Sequence, residues 1–98
     1  MQRKIYISGP ITGLNPDKVA ERFAAAKKTF DGTDYTPVSP LENGLPESAT
    51  YDEHMIRDLE MLAECEAIYM LNGWGRSKGC KIEFASAVSQ KKTIIFEQ

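Results

Sequence analysis

The chain has 98 residues, 42% hydrophobic and 27% charged, with a formal net charge of −2 and a pI near 5.4. That balance fits one soluble globular domain with a single hydrophobic core, and it excludes the broad positive field of a nucleic-acid or anionic-membrane binder. No apolar run approaches the roughly 20 residues of a membrane span, and the opening MQRKIYISGP is too short and too soon interrupted for a signal peptide. Cys65 and Cys80 form no disulfide framework or metal spacing and read as free thiols in a reducing cytoplasm. With one histidine beside them, a metal site is not expected.

Lys4 to Ser8 (KIYIS) is a short β-branched and aromatic run closed by Gly9-Pro10, which predicts a buried strand and a turn. After the loop GPITGL, Asn15-Pro16-Asp17 has the makings of an N-cap, a proline at the first helical position and an acid in the first turn. Val19, Phe23, Ala26 and Phe30 keep helical spacing to about Asp31, and Gly32 ends the helix. Tyr35 to Val38 predicts a second strand, and Pro37 within it suits a sheet edge. Leu41 to Ala49, with Asn43-Gly44 and Pro46, reads as loop.

Thr50 and Glu53 form a capping-box pair that opens a helix from Tyr51 to about Glu64. Met55, Leu59, Leu62 and Ala63 form its expected apolar face, with Ile56 beside it. Ala67 to Leu71 (AIYML) is apolar throughout, as in a central strand buried on both faces. Asn72 to Ala87 (NGWGRSKGCKIEFASA) is a glycine-broken loop that becomes a helix reaching about Gln90, and Thr93 to Phe96 is the last strand. Strands and helices alternate, so right-handed crossovers predict a parallel sheet with helices on both faces, a doubly wound α/β domain; its four strands are expected in the order 2-1-3-4. Ligands in such sheets lie beyond the carboxyl ends of the strands, at the switch in strand order. Those ends are Ser8-Gly9-Pro10, Ser39-Pro40 and Asn72-Gly73-Trp74.

Several residues near these ends invite two readings. The GPITG loop, Gly9 to Gly13, either cradles a phosphate on backbone amides or is a plain tight turn. Trp74, between two glycines, either closes over a flat ligand or caps the edge of the core. Asp58, near His54 and Arg57, reads by itself as part of a solvated, salt-bridged helix face, and Tyr51 and His54 as packing residues near a helix start. Arg76, Ser77 and Lys78 combine cations, a hydroxyl and a helix start, which suits a phosphate, although Ser77 is equally an ordinary N-cap. Cys80 also lies near that helix start, but no histidine is placed to make it a nucleophile.

Taken in order, a strand with Tyr6 running into SGPITG, the helix stretch RDLEMLAEC, the strand AIYML and then GWGRSKGCKIEFASA resemble the nucleoside 2-deoxyribosyltransferase superfamily, closest to a small bacterial and phage branch of it. The resemblance spans Lys4 to Phe96 and implies one deoxyribosyltransferase-like domain, Rossmann-like in architecture, without cofactor or metal, assembled as a homodimer or higher oligomer. It implies that Glu83 attacks C1′ of 2-deoxyribose, that Asp58 assists, and that Tyr6 orients the nucleophile. Six residues before Glu83, the superfamily's nucleoside transferases carry an aspartate for the 5′-hydroxyl and its deoxynucleoside monophosphate N-glycosidases a serine for the 5′-phosphate. Ser77 stands there.

The implied activity is therefore cleavage of the N-glycosidic bond of a 2′-deoxynucleoside 5′-monophosphate. Ser8, Gly9, Pro10, Ile11, Thr12, Gly13, Ser77 and Gly79 would surround the nucleotide, with Trp74 near the base. Two features depart from the monophosphate hydrolases: Thr12 replaces a first-loop arginine, and the chain stops shortly after its last strand, without the segment that completes a neighbour's pocket in many relatives. They favour an alternative in which the domain binds nucleotide without turnover. Transfer of deoxyribose between bases is another.

Overall fold

The computed structural model describes residues 2–98. Its order is β1 (Arg3–Ser8), α1 (Pro16–Thr29), β2 (Tyr35–Val38), α2 (Tyr51–Ala63), β3 (Ala67–Met70), α3 (Lys78–Ser89) and β4 (Thr93–Phe96), with short 3-10 turns at Pro40–Glu42 and Trp74–Arg76. All strand pairings are parallel, as the alternation of elements predicts, and the sheet order is the expected β2-β1-β3-β4. Pro37 lies on β2 at the sheet edge, where its missing N–H leaves only the outer side unpaired.

The faces of the sheet follow from the two-residue side-chain period of a strand. Ile5 and Ile7 of β1, with Ala67, Tyr69 and Leu71, pack against Val19, Phe23 and Ala26 of α1 and against Phe30. Tyr6, Ile68 and Met70 point to the other side and pack against Met61 and Leu62 of α2 and Cys80 and Ala87 of α3. One face is thus covered by α1 and the other by α2 and α3. The chain moves outward from β1 to β2 across the first face and back past β1 to β3 and β4 across the second. The switch point lies between β1 and β3, whose ends are level at Ser8 and Met70.

The caps match the sequence patterns. The Asn15 side chain accepts from the amides of Asp17 and Lys18 at 2.9 and 3.2 Å. Thr50 and Glu53 exchange a full capping box, at 2.8 and 3.1 Å. Helix α1 stops at Thr29 with Phe30 as its C-cap, slightly before the expected end at Asp31, and Gly32 follows in the left-handed region at φ 79°.

The buried stripe of α2 needs correction. Ala63 is exposed and Ile56 is 63% exposed, while Asp58 and Met61 are buried and Met55 and Leu59 only half-buried. Counting apolar residues misplaces the stripe because a carboxylate occupies one of its inward positions.

At the end of β1 the chain packs tightly. A β-carbon on Gly9 would sit 2.5 Å from Leu71 Cδ1 and 3.1 Å from Phe23 Cζ. Gly9→Ala is therefore expected to destabilise the domain by about 1–3 kcal/mol, the usual range for an overpacked core. Chemical denaturation checks this, and an unchanged midpoint would show that Leu71 swings aside without cost.

Candidate active site

Period-two alternation turns Tyr6 and Ser8 toward the face covered by α3, and Glu83 descends from α3 onto them. The Tyr6 hydroxyl donates to Glu83 Oε2 at 2.7 Å, and the Ser8 hydroxyl donates to Glu83 Oε1 at 2.6 Å. Tyr6 and Ser8 are fully buried and Glu83 is 5% exposed. A buried carboxylate without donors would be strongly disfavoured; here each oxygen has one. Burial still dominates and raises the Glu83 pKa from 4.5 to about 7, against the lowering effect of the Ser8 and Tyr6 hydrogen bonds and with a further upward push from Asp58. Burial, then the negative field of Glu83, pushes Tyr6 far up as well, so its hydroxyl keeps its proton and stays a donor.

Asp58 is 7% exposed and bound to a residue from the 41–49 loop: Asn43 Nδ2 donates to Asp58 Oδ1 at 2.9 Å and lies 3.0 Å from His54 Nδ1. Burial raises the Asp58 pKa, with Asn43 acting in the opposite direction. The solvated, salt-bridged reading of Asp58 does not hold. Arg57 turns away, its nearest carboxylate being Glu60 at 3.9 Å and its Nε donating to the Asn43 carbonyl at 3.3 Å.

Two cavities open at the carboxyl ends of the strands. One, of about 520 Å³, is lined by Glu83, Asp58, Asn43, His54, Glu47 and Met55 among others. The second, of about 580 Å³, is lined by Arg22, Arg76, Lys78, Asn72, Gly73 and Pro10 among others. Ile11, Thr12, Tyr51, Ser77 and Gly79 line both, so a carboxylate-bearing chamber and a cation-bearing chamber share a wall. Both volumes suit a small molecule.

Of the residues singled out from sequence, Glu83, Asp58, Gly9, Pro10, Ile11, Thr12, Ser77 and Gly79 all line one chamber or both, while Tyr6 and Ser8 lie beneath Glu83. Trp74 is placed elsewhere. It stacks on Phe84 at 4.7 Å between ring centroids and lies 6.0 Å from Phe96, so it caps the edge of the core and lines neither chamber. Gly13 lines neither chamber and supplies the left-handed turn (φ 80°) that closes Ile11 to Leu14. The first amides of α1 are engaged by Asn15, which favours the turn reading of GPITG. Ser77 is the N-cap of α3, accepting from the Cys80 amide at 3.2 Å, and its own hydroxyl hydrogen remains to donate. Cys80 is buried, and burial raises its pKa, the opposite of an activated thiolate.

Sequence patterns missed Asn43 and Arg22. Asn43 reads as a turn residue, and nothing in the pattern of α1 marks Arg22. The Arg22 guanidinium donates to the Asn72 carbonyl at 2.9 Å and meets Glu97 Oε1 at 3.4 Å, and the same Glu97 oxygen accepts from the Asn72 amide at 2.7 Å. Only folding assembles these contacts.

The profile of a family described as a domain of unknown function (DUF4406) matches residues 3–96. No curated protein matches the sequence. Among solved structures, a protein titled 2-desoxiribosyltransferase from Leishmania mexicana superposes with a TM-score of 0.73 and 23% identity, over 96% of this chain and 63% of its own. The chain thus spans less than two thirds of that protein, and the likeness establishes a shared fold.

A raised carboxylate pKa has a consequence for stability. Moving from 4.5 to about 7 corresponds to about 3 kcal/mol. Because the folded-state value is the higher one, this stability is present in full below about pH 4.5 and lost as pH rises to about 7. Glu83→Gln removes the titration. The melting temperature of Glu83→Gln relative to wild type is expected to climb between those pH values and level off above them; a constant difference would show that Glu83 titrates normally.

Proposed function

The chain belongs to the DUF4406 family, and on the basis of its fold and its two adjoining chambers we propose that it cleaves the N-glycosidic bond of 2′-deoxynucleoside 5′-monophosphates. One observation carries the reading: a buried carboxylate held by two hydroxyls opens into a chamber whose neighbour is lined by three cationic side chains, Arg22, Arg76 and Lys78. Such a pairing suits a substrate with an electrophilic carbon at one end and a phosphate at the other.

In this reading Glu83 attacks C1′ as its carboxylate, forming an ester as the C1′–N bond breaks. The nitrogen's electron pair leaves with the base, and Asp58, whose pKa burial raises, gives that base its proton. Water activated by the Asp58 carboxylate then attacks C1′, restores Glu83 and releases deoxyribose 5-phosphate. Tyr6 and Ser8 fix the two oxygens of Glu83. The phosphate lies at the start of α3, with Ser77 donating and Arg22 and Arg76 beside it. Thr12 is no obstacle, because a cation comes from α1 instead of from the first loop.

The fold shared with a deoxyribosyltransferase supports a second reading, in which a free base replaces water as acceptor. Incubation with the four common deoxynucleoside monophosphates, chromatographed for free base, separates the two: a new nucleotide on addition of a second base indicates transfer.

Glu83→Gln is expected to lower kcat/KM by on the order of 10⁴-fold or more, and wild-type levels of released base from that variant would remove Glu83 from the mechanism. Since Glu83 attacks ionised while Asp58 must carry a proton, kcat/KM should follow a bell-shaped pH profile with one limb for each carboxyl, the Glu83 limb near 7. Ser77→Ala is expected to raise KM for monophosphates roughly tenfold while leaving that for nucleosides nearly unchanged; equal effects on both would overturn the phosphate assignment.

A further inference from the structure

Resting on the nucleotide reading above, we infer that His54 selects the base, donating from Nε2 to an oxo group on the edge far from the sugar. Asn43 lies between Asp58 and His54. Its Oδ1 accepts from the Leu45 amide at 3.0 Å, which fixes the orientation of the carboxamide. The group facing Asp58 Oδ1 at 2.9 Å and His54 Nδ1 at 3.0 Å is therefore the NH2. It has two hydrogens and no lone pair to offer. One hydrogen goes to the Asp58 carboxylate, and the other can be accepted by His54 only if Nδ1 is bare. The imidazole hydrogen is thus placed on Nε2, a choice of tautomer made by the neighbour.

His54 and Asp58 are one turn apart on α2, so their β-carbons lie roughly 5–6 Å from each other on one helix face. Both line the chamber that holds Glu83. A base whose glycosidic nitrogen lies between Glu83 and Asp58 therefore extends its distal edge along α2 toward His54. That edge carries position 6 of a purine or position 4 of a pyrimidine. An oxo group there accepts from the Nε2 hydrogen, whereas an amino group sets donor against donor. The preferred substrates are 6-oxopurine and 4-oxopyrimidine nucleotides, and adenine and cytosine nucleotides are disfavoured.

The test uses equilibrium affinity, so it does not need turnover. Glu83→Gln protein is titrated calorimetrically with dUMP against dCMP and with dIMP against dAMP. The oxo member of each pair is expected to bind roughly tenfold more tightly. Adding His54→Phe should abolish the difference by weakening only the oxo members. Equal affinity within each pair, a preference for the amino members, or a His54→Phe loss common to all four would overturn the inference and leave the nucleotide reading standing. Binding of none of the four would remove the nucleotide reading and this inference with it. Independently, nitrogen-15 NMR of the imidazole at about pH 8, where histidine is neutral, should show the Nε2–H tautomer; the Nδ1–H form would overturn the inference by itself.

Discussion

A carboxylate taken out of water must be matched, and the arrangement of this domain at its switch point follows from that constraint. Glu83 is nine-tenths or more buried, and its two oxygens are met by Tyr6 and Ser8, alternate residues of a single strand. Both donors are available only because β1 directs its even-numbered side chains to the face that α3 covers. The helix is held over that face by Cys80 and Ala87, and by Gly79, where an added β-carbon would approach Met55 and Tyr51 to 3.3 Å. Core packing and polar matching are here one requirement. The hydrophobic contacts set the height of α3, and the hydrogen bonds require that height to be right within a few tenths of an ångström.

A second buried carboxylate follows the same rule with a different partner. Asp58 receives its donor from Asn43, in a loop with little regular structure, so the loop is tied to α2 by polar contacts. Burial raises the pKa of both acids, and Asp58 adds a smaller upward push on Glu83. Two carboxyl groups with different donors and different depths can take different chemical roles.

Much of this is legible in the chain before folding. Strand β3 reads as central because it is apolar throughout; the alternation of elements announces a parallel sheet with helices on both faces; Asn15-Pro16 and Thr50 with Glu53 announce helix starts that the contacts reproduce. Glu83, Asp58 and Tyr6 stand out by resemblance and by order along the chain, and the fold brings Tyr6 against Glu83 and sets Asp58 on the wall of the same chamber. What cannot be read is anything decided between distant segments. Asn43 looks like a turn residue because its partners lie 11 and 15 positions away on another element. Nothing marks Arg22 because the carbonyl it meets is 50 positions distant. Trp74 is ambiguous by itself, flanked by glycines, and only the positions of Phe84 and Phe96 decide that it packs.

The contacts among Arg22, Asn72 and Glu97 also couple the cation-lined chamber to the end of the sheet. They join α1, the turn after β3 and the residue that follows β4, three places that meet only after long stretches of chain have closed. The wall of the cation-lined chamber that Arg22 and Asn72 form is thereby tied to the segment after β4. An anion bound there would draw its affinity from a contact just beyond the last strand, and in return would hold that segment against fraying.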